Sequence, residues 1–169
     1  MMRGERFLQA LMGSATLLLG LVLWDVLRDR MVYPGRSAPD FTLTTDGGKT
    51  ITPDSFGGRI LVLNFWATWC PPCVKETPVL EATHRRLKDR GLVLVAVSVD
   101  KSEQKYKNFL KRFGVTYHTL RDPEQKFNDL FGTYRYPETY VIDQSGKVLI
   151  KKIGELDEDT LKQIERLLS

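Results

Sequence analysis

Cysteine is scarce in this chain. Two residues in 169 are cysteines, and both fall in the run Trp69-Cys70-Pro71-Pro72-Cys73. A small domain held by several disulfides is thereby excluded, and so is a site built on four cysteines. Histidine is equally rare, and His84 and His118 lack metal-ligand spacing to the cysteines, so no metal is expected. Charge of one sign is not in excess: 25 Lys and Arg stand against 21 Asp and Glu, interleaved along the chain, which argues against a nucleic-acid footprint. Internal repeats and low-complexity segments are also missing. With 42% hydrophobic residues, the 169-residue chain suits one domain with a buried core plus an appendage.

Long hydrophobic runs are absent except at the N-terminus, where Phe7 to Trp24 form 18 uncharged residues between Arg6 and Asp25. As a helix that length just spans a hydrocarbon core of roughly 30 Å. No small-residue cleavage site follows Trp24, so an uncleaved anchor is expected over 1–27, with a tether at 28–40 and a folded domain at 41–169. Arginines lie on both sides of the run, so charge leaves its orientation open. Neither cysteine is N-terminal, so the helix itself would be the anchor.

Beyond the tether, Phe41–Thr45 and Lys49–Ile51 flank Asp46-Gly47-Gly48 as a hairpin. The apolar run from Arg59 to Trp66 reads as a strand buried on both faces, Val74 to Arg90 as a helix kinked at Pro78, and Leu92 to Val99 as a second buried strand. Strand, helix, strand at this spacing implies a right-handed parallel crossover, with the cysteines at the strand-to-helix junction. A helix at 102–113, a strand at 115–120 and a helix at 123–131 follow. A hairpin at 139–142 and 148–153 and a helix capped by Asp157 complete a mixed sheet with helices on both faces.

A pair of cysteines one turn apart at a helix N-terminus is chemically loaded. Unpaired N–H groups and the helix dipole stabilise a thiolate at Cys70, lowering its pKa from about 8.5. Cys73 can then resolve a mixed disulfide by attacking Cys70. A structural disulfide would close a very short ring and stabilise little. A peroxidatic cysteine is the enzyme alternative, since Ala38-Pro39-Asp40-Phe41 is shared with peroxide reductases, but that chemistry wants Thr where Ala67 stands.

Asn64-Phe65-Trp66-Ala67-Thr68-Trp69-Cys70-Pro71-Pro72-Cys73, with Glu76 and Pro78 after it, resembles the TlpA, ResA and CcmG (DsbE) group of membrane-tethered thioredoxins. A second block, Gly132 to Asp143, is similar to the loop that carries a cis-proline facing the cysteines in that group. The resemblance spans about residues 36 to 168 and implies an α/β thioredoxin-like fold. An N-terminal β-hairpin extension and a central helix-strand insert would be added to it. It further implies that Cys70 attacks, Cys73 resolves, and Glu76 exchanges a proton with Cys73. Trp69, Tyr136, Pro137 and Glu138 would face the substrate. For each carboxylate the plain alternative is a solvated surface charge. Asn64 stands where ordinary thioredoxin has a buried aspartate; an amide accepts no proton, which moves that duty toward Glu76.

The same resemblance implies a monomeric, single-pass disulfide reductase of the cytoplasmic membrane with its domain outside the cytoplasm. Its redox centre would be the dithiol, without further cofactor. Its partners would be disulfide-containing proteins such as apocytochrome c, and a membrane electron donor of the DsbD or CcdA type. A general extracytoplasmic reductase, a peroxiredoxin-like antioxidant and a non-catalytic client-binding module are the alternatives.

Overall fold

A computed structural model describes residues 12–24 and 32–169. Residues 12–24 form helix α1, whose apolar side chains, Leu17, Leu18 and Leu19 among them, are exposed. Among the described residues no helix is long and apolar enough to cross a membrane. Part of the expected anchor, Phe7 to Leu11, lies outside the described residues.

The second unit begins at Val32, so the domain starts earlier than the boundary at 41 read from the sequence. Residues 35–38, expected in the tether, run beside the last hairpin. Gly35 N–H donates to Val148 O at 2.8 Å, Val148 N–H to Arg36 O at 2.8 Å, and Ala38 N–H to Gly146 O at 2.7 Å. Gly35, with Pro34 and Pro39 on either side of the segment, marks irregular but attached backbone, because these main-chain bonds tie it to the domain.

The central sheet has the order β5-β4-β3-β6-β7. Strands β3 (Ile60–Trp66), β4 (Leu92–Ser98) and β5 (His118–Arg121) are parallel, while β6 (Glu138–Asp143) and β7 (Val148–Ile153) run antiparallel. Every residue of β3 and β4 is buried, which explains their nearly continuous apolar runs, broken only by Asn64 in β3 and Ser98 at the end of β4. Helices α2 (Pro71–Leu87), α3 (Glu103–Phe113) and α5 (Glu158–Arg166) contribute to the core on one face. The N-terminal hairpin, β1 (Leu43–Thr44) with β2 (Thr50–Ile51), and helix α4 (Lys126–Phe131) contribute to the core on the other.

Three elements start three residues away from where the sequence placed them. Helix α2 starts at Pro71, three residues before the expected Val74, and continues through Pro78. Strand β5 starts at His118 instead of Val115; Thr116 is drawn aside by Glu81, which accepts from its N–H at 2.8 Å and its hydroxyl at 2.6 Å. Helix α4 starts at Lys126, because Gln125 takes a left-handed φ of 58°. The buried Asp122 carboxylate collects the N–H groups of Lys126 (2.9 Å), Phe127 (2.8 Å) and Asn128 (3.3 Å).

Candidate active site

The first turn of α2 builds the dithiol. Cys70 is its N-cap, Pro71 and Pro72 occupy the next two positions, and Cys73 follows. Proline costs nothing there, since the first helical N–H groups have no intrahelical partner. The Cys73 N–H, which does point at the cap, donates to Cys70 Sγ at 3.3 Å. The sulfurs are joined at 2.07 Å, and the two residues are 4% and 1% exposed. Reduced, the same geometry aims an N–H donor and the positive end of a 17-residue helix at Cys70 Sγ, which favours its thiolate.

Glu76 sits one turn beyond Cys73 and is 3% exposed, so it is no solvated surface charge. Its Oε1 accepts from Asn64 Nδ2 at 2.8 Å and its Oε2 from the Leu156 N–H at 3.0 Å. Asn64 Nδ2 also donates to Thr139 Oγ1 at 3.0 Å, so β3, β6 and α2 meet at this carboxylate. Burial pushes the Glu76 carboxyl up to about 7, outweighing the Leu156 and Asn64 donors that favour its ionised form; the Glu155 carboxylate pushes the same way. A carboxyl half-ionised near neutral pH beside a dithiol can exchange protons with it.

Glu138 requires a correction. It does not lie on the surface beside the loop but is 0% exposed, on the opposite face of the sheet from Glu76. In the β3–β6 register Asn64 faces Thr139, whereas Phe65 faces Glu138. Successive strand residues point to opposite faces, which separates Glu138 from Glu76. Its Oε1 lies 3.1 Å from Lys151 Nζ and accepts from the Tyr140 hydroxyl. Its Oε1 is thus engaged on its own side of the sheet, away from the dithiol.

The loop before β6 carries the other expected residues. The Tyr136–Pro137 peptide is cis. Tyr136 packs against the core cluster that holds Cys70 and Cys73, and its ring meets that of Trp69 edge-on at 5.9 Å. Trp69 is 64% exposed, a large apolar surface next to the dithiol. Trp66 is buried against Tyr106 and Phe109 as core.

Sequence reasoning missed two supports of this loop. Buried Asn128 on α4 accepts from the Tyr136 hydroxyl at 2.7 Å and donates to Thr133 O at 2.9 Å, so one amide holds both ends of the loop. Gly154, at a left-handed φ of 90°, donates its N–H to Pro137 O at 2.8 Å, two residues before Leu156 reaches Glu76. A three-residue strap thus links the loop to the acid. Neither contact has a local sequence signal. A Gly followed by an acidic residue and Leu is too common to flag, and Asn128 reads as one more polar helix residue.

A family model described as Redoxin matches residues 33–168. The chain belongs to the Redoxin family. It is similar to the thiol-disulfide oxidoreductase ResA of Bacillus thuringiensis, with 34% identity over 76% of this chain and 74% of that one. ResA of Bacillus subtilis is 33% identical over 81% of this chain and 76% of its own. A solved structure of a candidate thiol:disulfide interchange protein DsbE from Chlorobium tepidum superposes with a TM-score of 0.73 at 29% identity, over 82% of this chain and 99% of that one. As a Redoxin-family protein the chain has a thioredoxin-like α/β fold around its central sheet, and it is a thiol-disulfide oxidoreductase of the ResA and DsbE type.

Proposed function

We propose that this oxidoreductase works as a disulfide reductase outside the cytoplasm, tethered by its N-terminal helix in the cytoplasmic membrane as a single-pass monomer, and that apocytochrome c is among its clients. The observation that carries the reductase reading is the buried Glu76 carboxyl one turn beyond Cys73, at the N-terminal end of the helix that Cys70 caps. The Cys70 thiolate attacks one sulfur of a client disulfide, and the other client sulfur leaves as a thiolate that takes up a proton. The Cys73 thiol passes its proton to Glu76 and attacks Cys70 Sγ. The intramolecular disulfide forms, the second client sulfur is released and protonated, and the client has gained two electrons and two protons. A membrane dithiol donor of the DsbD or CcdA type returns Cys70 and Cys73 to thiols. No cofactor beyond the dithiol enters.

Trp69, Tyr136 and Pro137 form the surface a client approaches. Support for the tether is the uncharged run Phe7 to Trp24, and support for the cytochrome client is the resemblance of Pro137-Glu138-Thr139 to the CcmG branch. The test is trapping. Cys73→Ser should hold a client as a mixed disulfide released by dithiothreitol, and Cys70→Ser should capture nothing and reduce nothing. A Cys70→Ser protein that still reduced a peptide disulfide would sink the mechanism.

A further inference from the structure

A groove of about 360 Å³ opens beside the nucleophile, lined by Trp69, Tyr136, Lys101, Ser102, Lys105 and Gln125 together with Val99 and Asp100. Its aromatic wall is fixed in advance: Trp69 precedes Cys70 in the chain, and Tyr136 is held by Asn128. Its charge is one-sided. Asp100 is 2% exposed, and its oxygens are taken by the Thr68 N–H (2.8 Å), the Thr68 hydroxyl (2.7 Å) and the Ser98 hydroxyl (2.7 Å). Lys101 and Lys105 are exposed and enter no ion pair among the described residues. The acid on the same helix, Glu103, is engaged by Lys107 at 2.6 Å and Arg121 at 3.6 Å. Every accessible formal charge lining the groove is therefore positive.

We infer that this groove receives the client polypeptide segment next to the disulfide under attack, and that Lys101 and Lys105 select segments carrying carboxylate side chains. The inference rests on the disulfide-exchange reading and adds a substrate class to it. The aromatic wall supplies contact that any peptide can use, whereas the lysines discriminate by charge. Exposed ion pairs are individually weak and screened by salt, so the selection is modest and depends on ionic strength.

The test uses cyclic disulfide peptides with Glu, Gln or Lys flanking the cysteines, and linear versions with Ser in place of Cys. Binding of the Ser peptides to the full chain, followed by fluorescence anisotropy, involves no redox step. Glu peptides should bind about two- to tenfold more tightly than Gln peptides at low salt, and Lys peptides more weakly than both. In a Lys101→Gln, Lys105→Gln double variant the Glu-to-Gln ratio should fall to about one. Equal binding of the three peptides by the unmodified chain, or a ratio that survives in the double variant, overturns the inference. Turnover of the disulfide peptides is scored separately: charge-selective binding without reduction would sink the reductase reading and leave the groove standing.

Discussion

Replacing Glu76 by Gln separates the proton chemistry of this site from its packing. In the folded chain the carboxyl is pushed from its ordinary 4.5 up to about 7, chiefly by burial. An acid that ionises later when folded binds more protons in the native state than in the unfolded state between those two values. Stability therefore falls as pH rises from about 4.5 to about 7, and is flat outside that window. Each unit of difference corresponds to about 1.4 kcal/mol, so the oxidised chain should lose roughly 2 to 3 kcal/mol between pH 5 and pH 8 through this group. Gln cannot ionise, so the variant lacks that slope. The absolute cost of the substitution is a poor measure, because Asn64 and Leu156 both donate to Glu76 and an amide offers one acceptor oxygen where the carboxylate offers two. The informative quantity is how the difference between the two proteins changes with pH. Urea unfolding of both, disulfide intact, at half-unit steps from pH 4 to 8.5 measures it. Parallel stability curves across the window would refute the claim that Glu76 is protonated near neutrality because it is buried. In exchange assays the same variant should slow resolution by Cys73 about 10²-fold while the first attack by Cys70 is kept, so the mixed disulfide accumulates.

Other perturbations test the supports. Lys151→Met should destabilise by about 3 to 5 kcal/mol in chemical unfolding, since it leaves the Glu138 carboxylate buried without its cation. Asn128→Ala and Tyr136→Phe each remove the bond that holds the loop, and should raise KM for a peptide disulfide several-fold with kcat little changed. A double-mutant cycle should show that the two effects overlap instead of adding. Gly58→Ala would place a Cβ 2.5 Å from Val93 Cγ2 and 2.7 Å from Gly91 O, and should cost about 1 to 3 kcal/mol in thermal or urea unfolding without altering the redox behaviour of Cys70 and Cys73.

The sequence made the redox pair legible because its chemistry is local: a cap, two prolines and a second cysteine within one turn need no tertiary information. Buried strands were equally plain, since β3 is apolar except at Asn64 and β4 except at its last residue, Ser98. Long-range capture hid the rest. Thr116 is a good strand residue, yet a carboxylate 35 positions earlier takes its N–H, and β5 begins after it. Residues 35–38 look like a linker because Gly35 and Ser37 sit between Pro34 and Pro39, but main-chain bonds to 146–148 dock them regardless of side chain. The Gly154–Leu156 strap and Asn128 act through single hydrogen bonds to residues distant in the chain or across a turn, for which the sequence offers no periodicity.

Glu76 and Glu138, two of the buried carboxylates, show why residue type alone does not assign the acid. Both Glu76 and Glu138 lie close in sequence to residues of the site, and both are almost wholly buried. Glu138 shares its face with Phe65, Tyr140 and Phe131 and is met there by Lys151, a cation that is itself 8% exposed. That carboxylate is spent on an ion pair, and no dithiol lies within its layer. Glu76 has only neutral donors, the Asn64 amide and the Leu156 N–H, and its nearest charged influence is another acid, Glu155, which Lys75 holds at the surface at 2.8 Å. Neutral donors soften the cost of ionisation without cancelling it, which leaves the group poised to gain or lose a proton near pH 7. Asn64 completes the distinction. With aspartate there, two acids would compete for one proton. With an amide, the β3 position supplies a donor that orients Glu76 and binds Thr139 at once, and the proton near the dithiol has a single carboxylate to occupy.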